Sequence, residues 1–214
     1  MNSATESEKR AAARAAAELV EDGMLLGLGT GSTVAHLLPA IAERGLGLRC
    51  VSTSVATEDQ ARELGLAVER FESIERLDLA IDGADQIAPD GWLVKGGGAA
   101  HTREKIVAAA ADRFVVIADS SKTVDAIAAP IPLELMSFGL DATLRHLGAA
   151  ELRDVPPSPD GGLIADYEGD VGDVGELAAR LAATPGVVDH GLFPPALTST
   201  ILVAHGDTVD RRDL

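Results

Sequence analysis

Apolar residues in this chain gather into short runs bounded by glycine or polar residues, and the stretches between the runs carry apolar positions at helical spacing. Thr5-Glu6-Ser7-Glu8 has the form of a capping box and predicts the start of an alanine-rich helix reaching about residue 21. A strand over 24–28 and a glycine loop follow, then a helix from Ser32 or Thr33 to about 44 and a strand over 48–52. A helix over 57–64 and an extended piece over 67–70 come next. The run 77–81, interrupted only by Asp78, predicts a strand buried on both faces that ends at Asp82. Thr102 is placed to cap a helix to about 110, which is followed by a strand over 114–118 and a polar turn over 119–122. This alternation predicts an α/β fold built on a doubly wound, mainly parallel sheet.

The pattern changes after Lys122. Pro130 and Pro132 flank an extended segment ending near 135, residues 140–147 look helical, and 154–162 form a loop rich in Pro, Gly, Ser and Asp. Extended 163–165, helical 174–183 and extended 187–192 predict a second, smaller α+β domain over 126–194. The larger domain then comprises 1–125 and 195–214, with a strand over 200–204 returning to the main sheet.

At 214 residues and 46% apolar composition the chain can bury a sizeable core. Its apolar runs are of strand length and no signal-peptide pattern opens it, so the expectation is a cytoplasmic protein without membrane partners. The net charge of −16 opposes binding to a phosphate backbone, so nucleic acid is not an expected partner. Only four lysines (Lys9, Lys95, Lys105, Lys122) stand among the 18 basic residues. Acidity with so little lysine resembles proteins of a salt-rich cytoplasm, where salt screens a carboxylate-covered surface, although high-GC coding explains it too. The single Cys50 cannot form an internal disulfide and reads as a buried thiol.

The densest chemistry lies between Leu79 and Lys105, which hold Asp82, Asp85, Lys95, the triplet Gly96-Gly97-Gly98 and Glu104. Asp82 and Asp85 fall where a strand leaves the sheet edge, the side on which open α/β sheets bind ligands. They suit sugar hydroxyls or proton transfer, and equally the capping of turns. The glycines allow backbone N–H groups to approach a ligand, and Glu104 in a first helical turn also suits the helix dipole. Residues 27–33, Gly-Leu-Gly-Thr-Gly-Ser-Thr, lie between strand and helix and can cradle an anion or simply make a tight turn. Ser32 stands where a dinucleotide fingerprint needs its third glycine, and the P-loop Gly-Lys-Ser/Thr is absent, so no nucleotide cofactor is expected. The five histidines lack metal spacing, so no metal is expected either.

Taken together, Gly29-Thr30-Gly31-Ser32-Thr33, Asp82-Gly83-Ala84-Asp85, the stretch 95–105 and Ala118-Asp119-Ser120-Ser121-Lys122 resemble ribose-5-phosphate isomerase of the A type. Pro185-Gly186-Val187-Val188 and Gly191-Leu192-Phe193 extend the resemblance, and Lys9 matches a phosphate-side lysine of that family. The resemblance implies a Rossmann-like domain and interconversion of D-ribose 5-phosphate and D-ribulose 5-phosphate through an enediolate. It implies Glu104 as base, Lys95 and the amides of Gly96, Gly97 and Gly98 as partners of the enediolate oxygen, and Asp82 and Asp85 as holders of hydroxyls. Thr30, Gly31, Ser32, Thr33, Gly83, Ala84, Lys9 and Lys122 would bind the sugar phosphate. A homodimer or homotetramer working in the pentose phosphate pathway without cofactor completes that expectation. The chain departs from the family at Met136-Ser137, where a second proline is usual, and at His101, where an apolar residue is usual. A sugar-phosphate sensor resembling DeoR-type effector domains is the alternative from another class, and it would need a DNA-binding module.

Overall fold

The computed structural model describes residues 3–214. In chain order the elements are α1 (Ser3–Ala17), β1 (Leu25–Leu28), α2 (Ser32–Ala42), β2 (Arg49–Ser52), α3 (Val55–Glu63), β3 (Ala67–Val68) and β4 (Leu79–Asp82). Then come β5 (Gln86–Ile87), β6 (Leu93–Val94), α4 (His101–Ala110), β7 (Phe114–Asp119), β8 (Ile131–Leu135), α5 (Leu140–Leu147) and β9 (Ala150–Leu152). The chain closes with β10 (Leu163–Tyr167), α6 (Val174–Ala182), β11 (Val187–His190), β12 (Leu192–Phe193), β13 (Thr200–His205) and β14 (Thr208–Asp213).

Two compact units emerge. The larger holds residues up to Ala84, Arg103–Thr123 and Ala196–Leu214. Its sheet runs β14-β13-β7-β4-β1-β2-β3, and every pairing is parallel except that of β13 with β14. β4 is buried along its whole length, as a strand covered on both faces must be, which is why its apolar run showed no alternation. Leu26, Leu28, Leu79 and Ile81 are fully buried, and each contributes about 1.5–3 kcal/mol by leaving water. Gly27 lets α4 lie close to β1, because a Cβ there would stand 2.6 Å from the Val107 side chain.

The order in which strands are added reverses at β1. From β1 the chain goes to β2 and β3 on one side, whereas β4, β7 and β13 extend the other. The carboxyl ends of β1 and β4 therefore flank a switch point, the place where doubly wound sheets open a crevice.

The smaller unit holds Asp85–Thr102 and Val124–Pro195. It contains an antiparallel sheet, β11-β8-β10-β9, and a three-stranded sheet, β12-β6-β5. Its core joins Ile131, Leu133 and Leu135 of β8 to Leu147 of α5 and Leu177 and Leu181 of α6. Asp173 caps α6 by accepting from the Glu176 N–H at 2.9 Å.

Two sequence expectations are corrected, and one element is added. The segment 85–102, assigned to the larger domain, belongs to the smaller unit because β5 and β6 pair with each other and β6 pairs with β12. The acidic tail after His205, to which the sequence reading gave no element, forms β14, a mostly exposed edge strand whose charged residues hide the alternation that announces a strand. Thr5 and Thr102 lie inside α1 and α4 rather than capping them. Cys50 is buried in β2 as expected, and burial pushes its thiol up to about 11.

Candidate active site

In the larger unit the loop after β1 is drawn to the end of β4. Asp82 ends β4 with 3% of its surface exposed, and its Oδ1 accepts from the Thr30 N–H at 3.0 Å and from the Gly83 N–H at 2.7 Å. The turn-capping role weighed for an aspartate at this position is thus present. It also joins two strand ends 52 residues apart in sequence. Gly29 is required by this closeness: a Cβ there would overlap the Asp82 carboxyl, while the Gly29 N–H extends the ladder to the Ile81 carbonyl at 3.0 Å. The Thr30 hydroxyl shares a 2.7 Å hydrogen bond with that of Thr53, which lies at the end of β2.

Gly31 adopts φ +113°, a conformation favouring glycine, and serves as the N-cap of α2 without a side-chain hydrogen bond. Gly31 and Ser32 are exposed and Thr33 is buried, so the first turn of α2 presents backbone donors and a hydroxyl toward solvent. A helix start of this kind is able to hold an anion.

Lys9 and Lys122 belong to the same unit. Lys9, on α1, is buried and pairs with Glu6 at 2.8 Å; Glu6 in turn meets His36 Nε2 of α2 at 2.9 Å. These hydrogen bonds, that to Lys9 foremost, hold the Glu6 carboxyl at about 2. Lys122 is half-buried at the end of the 3-10 turn after β7. Glu8 fixes that turn to α1 by accepting from the Ser120 N–H at 3.0 Å and its hydroxyl at 2.8 Å. Glu104 stands in the first turn of α4 and is 5% exposed.

In the smaller unit Lys95 follows β6 and is 3% exposed. Its N–H donates to the Gly191 carbonyl at 2.8 Å, and its ammonium lies 5.5 Å from the centre of the Phe193 ring, within cation–π range. Gly96 has φ +113°, and a Cβ there would come within 2.7 Å of His101 and Pro132. Asp85 Oδ2 accepts from the Gly97 N–H at 2.7 Å. Gly83, Ala84 and Asp85 are half-buried, and Gly97 and Gly98 are exposed.

The sequence reading missed three participants. Glu6 and His36 hold Lys9, and Arg153 reaches the glycine loop. Arg153 donates to the Gly96 carbonyl at 2.8 Å while its Nε donates to Asp166 at 2.6 Å, and Asp166 raises its pKa further. An arginine opening an irregular loop gives no pattern that would single it out; its partner Asp166 is 13 residues away on β10. Among the described residues no group of three His, Cys, Asp or Glu side chains is placed to hold a metal ion, and no helix is long and apolar enough to cross a membrane.

The chain is similar to known proteins over most of its length. Residues 49–208 match the model of the family described as ribose 5-phosphate isomerase A (phosphoriboisomerase A). The chain is 44% identical to the ribose-5-phosphate isomerase A of Natronomonas pharaonis, over 97% of each chain. It is 47% identical to that of Caulobacter vibrioides, over 88% of this chain and 90% of the relative. Among solved structures it is similar to ribose 5-phosphate isomerase A of Methanocaldococcus jannaschii, with a TM-score of 0.91 and 31% identity over 98% of this chain and 100% of that one. A D-ribose-5-phosphate isomerase in complex with phospho-erythronic acid superposes with a TM-score of 0.92 and 31% identity over the full length of both.

Proposed function

The chain belongs to the ribose 5-phosphate isomerase A family, and on that footing we propose that it interconverts D-ribose 5-phosphate and D-ribulose 5-phosphate through an enediolate. The observation that carries the assignment of residues is burial. Asp82, Lys95 and Glu104 are each at most 5% exposed although ionisable, and all three fall in one short stretch of chain. Groups that lose hydration are retained at such positions where their chemistry is used.

Glu104 takes the proton from C2 of the open-chain aldose and returns it to C1. As the C2–H bond breaks, its electron pair forms the C1–C2 double bond and negative charge gathers on O1. Lys95 faces that oxygen and stabilises it. Protonation at C1, with the O2 hydroxyl proton passing to O1, leaves the ketose. The Gly97 N–H donates to Asp85, so the amides left for the enediolate oxygen are those of Gly96 and Gly98. Asp82 and Asp85 hold sugar hydroxyls, and one of them assists opening of the furanose ring.

The phosphate is assigned to the α2 cradle, Thr30 to Thr33, with Lys9 and Lys122 beside it, and Gly83 and Ala84 line the sugar. The cationic groups offer a local attraction to a dianion within a chain of net charge −16. That charge, together with four lysines, supports adaptation to a salt-rich cytoplasm. Phe138, 88% exposed, and Met136 in the smaller unit support a contact between subunits of a homodimer or homotetramer. The experiment that tests the function is turnover of D-ribose 5-phosphate by the purified chain without added cofactor, over a salt series. Activity is expected; binding without turnover would replace the enzyme by a sensor.

A further inference from the structure

We propose that Arg153 is a positioning residue for the isomerisation, acting through a single peptide plane on Asp85 and the glycine loop. This rests on the isomerase reading above, because it assumes that Asp85 and that loop meet the sugar.

The carbonyl of Gly96 and the N–H of Gly97 belong to one planar trans peptide, so they point in opposite directions. Both ends are gripped. On the carbonyl side Arg153 Nη1 donates at 2.8 Å, and the Ala99 N–H donates to the same oxygen at 3.0 Å. On the amide side the Gly97 N–H donates to Asp85 Oδ2 at 2.7 Å. The result is a chain of charge and dipole: Asp166 carboxylate, Arg153 guanidinium, the Gly96–Gly97 peptide, Asp85 carboxylate. Each link polarises the next in the same sense, since a cation at the carbonyl oxygen makes the amide hydrogen a stronger donor to the anion beyond it.

The loop needs such a brace. Gly96 at φ +113° and Ala99 at φ 59° lie where extended and helical backbones do not hold the chain, and Ala99 carries a side chain in a conformation that costs energy. Gly96 is buried but Gly97 and Gly98 are exposed, so packing covers this peptide from the Gly96 side only. Arg153 is itself immobilised, because Asp166 engages both its Nε and Nη2 and each side chain is only 19% exposed. A guanidinium can do both jobs at once, as its donors form a rigid fork with a third N–H left for the carbonyl. With Oδ2 oriented by the amide, Asp85 Oδ1 is the oxygen that faces the sugar.

The test is a double-mutant cycle on turnover of D-ribose 5-phosphate, using wild type, R153M, D85N and R153M/D85N, with folding followed by circular dichroism. Misplacement of a reacting group by about an ångström costs up to ~10²-fold, so R153M is expected to lower kcat/KM by ~10- to 100-fold. In the D85N background the same change is expected to cost less than about threefold, because the group that Arg153 positions has lost its charge. Equal losses in both backgrounds would mean that Arg153 only supports the fold, and the proposal would be overturned. Should R153M fail to fold, R153K keeps a cation beside Asp166 without the third fork donor, and the cycle with D85N is expected to behave in the same way. An inactive wild type would overturn the isomerase reading and this inference with it, whereas an active wild type with independent losses overturns the inference alone.

Discussion

The loop after β1 and the loop after β6 each set a backbone amide beside an aspartate, but the first is closed by neutral groups and the second by an ion pair. In the larger unit Asp82 Oδ1 gathers the Thr30 and Gly83 amides, and the Thr30 and Thr53 hydroxyls complete the closure. In the smaller unit Asp85 takes one amide, and the peptide carrying it is held from behind by Arg153 and Asp166. The difference follows from the support beneath each loop. Parallel strands β1 and β4 are neighbours in register, Leu28 opposite Ile81, so the sheet itself brings Gly29 and Asp82 together. The glycine triplet leaves a two-residue strand and follows no ladder, so a half-buried charge pair substitutes for a sheet. A loop seated on a sheet edge needs only small residues; a loop leaving one needs a brace.

The sharpest way to break the comparison is at Glu104, which stands on the larger unit's portion of α4. E104Q keeps the shape of the side chain and removes the base, and the kcat for D-ribose 5-phosphate is expected to fall by ~10²–10⁴. Survival within about tenfold would show that the base lies elsewhere.

Next in size is the effect of a methyl group on each loop. G29A forces a Cβ into the Asp82 carboxyl, which is buried and cannot retreat, and is expected to cost about 1–3 kcal/mol in denaturant unfolding. G97A places its Cβ 2.8 Å from Asp85 Oδ1, a half-buried group that can turn away, so it should cost less stability. The reverse order would mean that the braced loop is the more rigid of the two.

A smaller effect is expected at Glu6, whose carboxyl titrates at about 2 in the folded chain against 4.5 ordinarily, through its hydrogen bonds to Lys9 and His36. A depressed carboxylate pKa means that the unfolded chain binds the proton more tightly. The stabilisation is therefore complete above pH 4.5 and lost as pH falls toward 2. Thermal melts of wild type and E6Q should differ at pH 6 and converge near pH 2. A constant gap across that window would sever the link between Glu6 and Lys9.

The smallest change is A99G. Glycine adopts the φ of 59° without the penalty of a Cβ but adds freedom to the unfolded chain, so melts are expected to shift by less than about 1 kcal/mol. A clear loss of stability would indicate that the Ala99 methyl packs usefully in the braced loop.

Much of the fold was legible because burial writes itself into apolar runs. β1, β4 and β7 are strands of a sheet covered on both faces, and their apolar runs were sufficient to place them. β14 was not legible, since an edge strand exposed along most of its length has no apolar pattern to display. The same contrast holds for the site. Asp82, Asp85, Lys95, the glycine triplet and Glu104 are close in sequence, and their order carries a family pattern. Arg153 lies 57 residues from Gly96, and Glu6 lies 30 from His36, so neither relation leaves a local trace.

The sequence by itself determined the strand and helix alternation, the identity of the chemical groups and the family, because each depends on residue type, spacing or order along the chain. Tertiary structure alone decided that residues 85–102 go with the smaller unit, that Asp82 holds the Thr30 loop, and that Arg153 and Asp166 stand behind the glycine peptide. Strand pairing and hydrogen bonds between distant segments are selected by the whole folded chain, and only there do such groups come within three ångströms of one another.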